Sequence, residues 1–169
     1  MGSAIGPRAI ENFFINSANG LHERINYYLQ NNDIRTEGEL EHILWMEIFN
    51  WLRSKDEDGY KFNYLPYRIR SQLFYKHNDT YPDLEICLGE KKLLIIELKH
   101  YYNRTFVLKD IIKDVKKNNR RYEEDESLIT IVIFTSSLTH EVLDDYMEKL
   151  MEANKNPINN HIIPFNRCH

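Results

Sequence analysis

Three residues near the middle of the chain have the types and spacing to do chemistry: Asp83, Glu97 and Lys99. They lie in TYPDLEICLGEKKLLIIELKH, residues 80–100, where two strand-type runs, 84–88 and 93–98, flank Gly89-Glu90-Lys91. Glycine at a turn between aliphatic, β-branched runs predicts a β-hairpin. Centred on Glu90, that hairpin sets Asp83 opposite Glu97, with Lys99 two residues further along the same strand. Strand side chains alternate between faces, so all three project from one side of the sheet. Opposed Cβ atoms lie about 4.5–5.5 Å apart, and like charges there repel. On strands this apolar, two carboxylates need a compensating partner. A hard divalent cation supplies one, because Mg²⁺ is commonly held by one or two carboxylates with waters and phosphate oxygens. Lys99 would then stand beside the metal, to orient a water or to offset charge on a phosphoryl group. The pattern is that of a metal-dependent hydrolase; the alternative is a surface ion pair of Glu97 with Lys99 on an edge strand.

The elements that must position these residues are legible on either side. Residues 36–54 read as a helix: Thr36 and Glu39 form a capping box, and Leu40, Ile43, Leu44, Ile48, Trp51 and Leu52 make one wide apolar face. Glu37 and Glu41 share a row with Leu44 and Ile48, so this helix brings acids toward the sheet. A second helix is expected over 105–124. Its wheel gathers Lys109, Lys113, Lys116, Lys117, Arg120 and Arg121 into a basic stripe opposite Leu108, Ile111, Ile112, Val115 and Tyr122. The stripe begins just after Lys99, where it would line a groove and neutralise phosphates, or else form a solvated face. Residues 128–135 (LITIVIFT) read as a fully buried strand. A helix through 151 and a short edge strand at 161–165 follow.

Upstream, residues 8–31 read as one helix or two short ones, with a break at Asn19-Gly20. His22-Glu23 is a poor joint ligand pair, since adjacent helix residues point about 100° apart. Residues 55–59 form a turn and 60–64 alternate like a strand. Residues 67–79 interleave Arg68, Arg70, Lys76 and His77 with aromatics, a composition suited to phosphates and bases or to an ordinary charged loop.

Pro82-Asp83, thirteen residues, then Glu97-Leu98-Lys99 resembles the signature of the PD-(D/E)XK, restriction-endonuclease-like nucleases. The likeness extends in order over 36–137: acidic helix, strand, PD strand, ExK strand, helix, buried parallel strand. It implies an α/β fold with a restriction-endonuclease-like core, a central mixed β-sheet flanked by helices. One domain spans 1–169, with the core at about 36–137 and a helical extension at 8–31. It also implies a Mg²⁺-dependent deoxyribonuclease, with Mn²⁺ as a substitute, leaving a 5′-phosphate and a 3′-hydroxyl. Asp83, Glu97 and the Leu98 carbonyl would hold the metal, Glu37 (or Glu41) would complete the site, and Lys99 would position or activate water. Asn118-x-x-x-Tyr122 is similar to the Gln-x-x-x-Tyr of exonuclease-type members, without the Gln. DNA is the partner implied, and small members often pair as homodimers to cut both strands. Two alternatives stay open: an inactive nucleic-acid-binding module of the same fold, and an RNA endonuclease of the cap-snatching type using His22 or His42.

Composition sets the frame. A chain of 169 residues, 42% hydrophobic and 12% aromatic, is long enough to bury a sizeable core. Its net charge of −4 argues mildly against bulk, non-specific nucleic-acid binding. Cys87 and Cys168 form neither a metal spacing nor a disulfide framework, and no apolar run reaches the length of a membrane span. A cytoplasmic protein is the expectation.

Overall fold

Gly89 sets the geometry of the turn on which the hairpin depends. Its φ is 61°, and it holds the first central position between Leu88 and Lys91, which pair directly. A two-residue hairpin turn needs positive φ there, a conformation that glycine adopts without a Cβ clash. The turn is one residue shorter than a hairpin centred on Glu90 requires. A register shift between Ile86 and Cys87 absorbs the difference, and beyond it Leu84 faces Ile96 and Glu85 faces Ile95. Continued one step, that register sets Asp83 beside Glu97.

The computed structural model of the chain describes residues 6–16, 20–54, 67–71 and 82–166. The expected strand at 60–64, the side chains of Lys76 and His77 and the tail from 167 lie outside them. Three helices come first, α1 (Pro7–Ile15), α2 (Leu21–Gln30) and α3 (Glu37–Ser54). Strands β1 (Tyr67–Ser71), β2 (Leu84–Leu88) and β3 (Lys91–His100) follow, then α4 (Leu108–Glu124), β4 (Ile129–Ser136), α5 (His140–Ala153) and β5 (Asn160–Asn166). The sheet order is β1-β2-β3-β4-β5. The first two pairings are antiparallel and the last two parallel. The fold is α/β, a mixed sheet flanked by helices.

Parallel neighbours need crossover helices, and right-handed crossovers that advance in one direction put those helices on one face. Ile111 and Val115 of α4 accordingly share a core with Leu143 and Leu150 of α5 and with Val132 and Phe134 of β4. The alternate residues Ile129, Ile131 and Ile133 point the other way. There they join Leu84, Ile86, Leu94, Ile96 and Leu98 against α1–α3. With α/β layers on both faces, β4 is buried along its whole length. Among the described residues, no helix is long and apolar enough to cross a membrane.

The entry to α3 is fixed by the expected capping box. Thr36 Oγ1 accepts from the Glu39 N–H at 3.2 Å, and Glu39 Oε2 accepts from the Thr36 N–H at 2.9 Å. Because Glu37 is the first residue of that helix, the cap also places Glu37. Thr36→Ala is expected to cost about 1 kcal/mol in urea unfolding, and Thr36→Ser to restore most of it.

Candidate active site

The hairpin face opposite the α1–α3 core carries charge where it would ordinarily carry leucine. Asp83 and Glu97 are only 7% and 3% exposed, so their charges meet each other more than they meet water. Asp83 stands just before β2, and its Oδ2 accepts the Leu98 N–H at 2.6 Å. Burial raises its pKa to about 7, with Glu97 adding repulsion, against the Leu98 hydrogen bond and Lys99.

Glu97 is met from α4. Its Oε1 lies 3.0 Å from Lys117 Nζ and also accepts from the Arg121 guanidinium. Arg121 donates as well to Asn118 Oδ1 at 3.0 Å. Two residues along β3, Lys99 Nζ donates to the Leu98 carbonyl at 2.8 Å. It stands 3.3 Å from Asp114 Oδ2 and 3.7 Å from Glu37 Oε1. Burial pulls the Lys99 pKa down, but Glu37, Asp114 and Asp83 outweigh it and the net shift is upward. Lys99 is therefore an ammonium at neutral pH. Burial raises the pKa of both Glu37 and Asp114, and Lys99 opposes the rise in each. Glu37 also accepts the backbone N–H of His100. The end of β3 is pinned in turn to β4, since Thr135 Oγ1 accepts from the Tyr101 and Tyr102 N–H groups at 3.2 and 3.3 Å.

The structure thus brings Glu37, Asp83, Glu97 and Lys99 together from two elements, α3 and β3, and the entry to β2. Glu41, the other candidate on α3, is buried one turn on and takes the Ser71 hydroxyl of β1. The basic stripe of α4 divides. Lys109, Lys113, Lys116 and Arg120 are exposed and, at 100° per residue, fall within about 60° of each other. Lys117 and Arg121 lie further round, on the row of Asp114, and turn in toward the sheet. Arg68 and Arg70 of β1 are engaged by acids of the neighbouring hairpin, Glu90 at 3.1 Å and Glu85 at 3.1 Å respectively. Asn118 is fully buried and donates to Asn160 of β5 at 3.5 Å, which makes it a packing residue of α4. His22 bonds the Phe14 carbonyl at 3.1 Å and packs on Phe165, whereas His42 is exposed.

Asp114 is the site residue that sequence reasoning missed. It is 8% exposed, and its Oδ2 has the Lys99 ammonium close by without a well-aligned hydrogen bond. Its spacing gave a signal: Asp114, Lys117 and Arg121 form one i, i+3, i+7 row, an acid and two bases along a helix edge.

Among the described residues, no three His, Cys, Asp or Glu side chains are grouped closely enough to hold an ion by themselves. The donor chemistry nevertheless fits a hard cation. The Asp83 and Glu97 carboxylates and the Leu98 carbonyl are all oxygen donors. Each faces a positive group here: the Leu98 N–H, the Lys117–Arg121 pair and Lys99 respectively. Comparison with known proteins gives no match, either to a family model, to a curated protein or to a solved structure.

The shift at Asp83 has a sign in stability. Below pH 3.8 its carboxyl is neutral whether the chain is folded or not. Between there and about 7 the unfolded chain ionises first, so stability falls as pH rises, and above 7 the whole penalty applies. Asp83→Asn should therefore stabilise the metal-free protein at pH 8, by up to about 4 kcal/mol. The gain should shrink toward pH 4, as urea titrations of both proteins across that range will measure.

Proposed function

We propose that this chain is a Mg²⁺-dependent nuclease of the PD-(D/E)XK type that hydrolyses DNA phosphodiester bonds. The observation that carries the reading is the buried pair Asp83 and Glu97 with the Lys99 ammonium two residues along the same strand. A salt bridge of Glu97 with Lys99 would account for neither the second carboxylate nor the burial. In fact the two are not each other's partners: Glu97 pairs with Lys117 and Arg121, Lys99 with Asp114 and Glu37. The element order supports the restriction-endonuclease-like core: acid-bearing α3, β1, the Asp83 strand, the Glu97–Lys99 strand, α4 and the parallel β4.

In this reading Asp83, Glu97 and the Leu98 carbonyl hold the cation, with Glu37 close enough to Lys99 to act beside them. When bound, Mg²⁺ lowers the pKa of its water and offsets charge on the phosphate oxygens. The chain's own residues do the rest. Lys99, already protonated, orients the attacking water and offsets negative charge as it builds on the phosphoryl oxygens. It is poorly placed to be a base, because the acids around it hold its proton. Water oxygen bonds to phosphorus in line as it gives up a proton to solvent, the P–O3′ bond breaks, and O3′ leaves with a proton taken from solvent. The product ends are a 5′-phosphate and a 3′-hydroxyl. Asp114 and Glu37 position the Lys99 ammonium from two helices, and the exposed bases of α4 contact the strand's phosphates. Duplex, branched and single-stranded DNA satisfy this chemistry equally.

Supercoiled plasmid incubated with Mg²⁺ is expected to be nicked, with Mn²⁺ substituting and EDTA abolishing the activity. Glu97→Ala and Lys99→Ala should each lose at least about a hundredfold in rate, the usual scale for a lost transition-state charge contact. The two acids of α3 should separate as well. Glu37→Gln should slow cutting, whereas Glu41→Gln should leave the rate near wild type and lower the melting temperature through its Ser71 bond. The grip of Lys117 and Arg121 on Glu97 favours one rival, an inactive binding module. DNA binding without cutting on plasmid, branched DNA or single-stranded RNA, unchanged in Lys99→Ala, would select that rival.

A further inference from the structure

A conflict at Glu97 follows from the reading above. Its carboxylate faces the proposed cation, yet Oε1 is already taken by Lys117 Nζ at 3.0 Å and by the Arg121 guanidinium. Two positive charges stand against one negative charge, more than neutralising Glu97 requires. The side chains are 28% and 15% exposed, so salt screens them less than it screens the outer stripe. The other acid near Lys117 is Asp114, one turn before it, which also attends Lys99. Both bases come from the helix that presents Lys109, Lys113, Lys116 and Arg120 to solvent. On α4 their row lies next to that basic surface.

We propose that Lys117 and Arg121 are an ion-exchange latch, which neutralises Glu97 until a divalent cation takes the carboxylate and then turns to the phosphates of the DNA strand. This rests on the nuclease reading. A cation approaching Glu97 meets two like charges at Oε1, so its binding and their departure are coupled by simple repulsion. Once displaced, Arg121 presents a planar fork suited to two phosphate oxygens and Lys117 a point charge. Metal therefore strengthens DNA binding, and by thermodynamic reciprocity DNA strengthens metal binding by the same factor. The metal-free protein keeps its two innermost phosphate contacts occupied on its own carboxylate. A purely structural clamp holding α4 to β3 makes the opposite forecast: loosening it would disorder Glu97 and weaken metal binding.

Mn²⁺ binding measured by electron paramagnetic resonance, without DNA, separates these. Wild type should bind Mn²⁺, Glu97→Gln should not, and Lys117→Gln and Arg121→Gln should bind it about fivefold tighter, the scale of one unit-charge ion pair at contact distance in a watery setting that no longer has to be broken. Lys117→Gln is the deciding variant, because Arg121 also bonds Asn118 and its loss disturbs α4. A second arm uses a duplex oligonucleotide with and without Ca²⁺. In wild type, Ca²⁺ should steepen the salt dependence of binding by about one to two phosphate contacts, and this increment should shrink in Lys117→Gln. Mn²⁺ binding equal to or weaker than wild type in a folded Lys117→Gln overturns the latch and leaves the nuclease reading intact. Absence of Mn²⁺ binding in wild type and in both variants overturns the nuclease reading, and the latch falls with it.

Discussion

Two carboxylates buried side by side on one sheet face are the constraint on which the surrounding structure depends. Asp83 and Glu97 repel across the hairpin, and neither has enough water to dilute the repulsion. The fold answers with positive groups from several directions. The Leu98 N–H points at Asp83, Lys117 and Arg121 reach Glu97, and Lys99 lies between the acids of α3 and α4. A stability-driven design would place leucines here, since a buried ion pair rarely outperforms a well-packed apolar substitute. The cost is understandable if the charges serve a ligand.

That arrangement requires α4 to sit at one rotation and no other. A set of buried asparagines fixes it. Asn160 at the start of β5 donates through Nδ2 to the Val115 carbonyl at 3.3 Å, to Asn119 Oδ1 at 3.1 Å and to Asn154 Oδ1 at 3.2 Å. Its own Oδ1 accepts from Thr130 at 3.0 Å and from Asn118 at 3.5 Å. Asn154 Nδ2 closes the group on the Asn160 carbonyl at 2.6 Å. Apolar contacts of Ile111 and Val115 alone would tolerate some rotation and sliding of the helix. Directional hydrogen bonds do not, so α4 is held in register with Lys117 and Arg121 toward Glu97 and with Asp114 toward Lys99.

The elements were legible because their signals are local. The Thr36–Glu39 box, the unbroken apolar run at β4 and the glycine turn each declare themselves within a few residues. The register of the hairpin was readable for Asp83 and Glu97 although the turn is one residue shorter than supposed, because the shift at Ile86–Cys87 restores the alignment before Asp83 is reached. Partner choice was not readable. The wheel of α4 counted Lys117 and Arg121 with the outer bases, because a wheel records angle and not the position of the sheet beneath it. Asp114 was passed over for the same reason, being hidden between Lys113 and Val115 until β3 is laid alongside. The richness in asparagine, without meaning as composition, becomes a fixed network only when β5 meets α4. Arg68 and Arg70, open in the sequence to phosphates or to an ordinary charged strand, gain the acidic partners Glu90 and Glu85 only when β1 is laid beside the hairpin.

Charge is distributed so that an acidic chain still offers a basic approach. The exposed acids of α5, Glu141, Asp144, Asp145, Glu148 and Glu152, lie on the helix packed beside α4, whose own exposed face carries Lys109, Lys113, Lys116 and Arg120. The net charge of −4 thus describes neither surface. At physiological salt, charges more than about 8 Å apart are largely screened from each other, so a polyanion near α4 feels mainly the bases it touches. On the nuclease reading, a strand that strayed over α5 would be repelled there. Steering of this kind adds little affinity, but it narrows the orientations in which a phosphate backbone can settle on the protein. On the nuclease reading the favoured one would run along α4, whose inner edge is the row of Asp114, Lys117 and Arg121 facing Lys99 and Glu97. The helix that neutralises the buried carboxylate is therefore also the helix along which a substrate would arrive, and its rotation, set by asparagines, serves both.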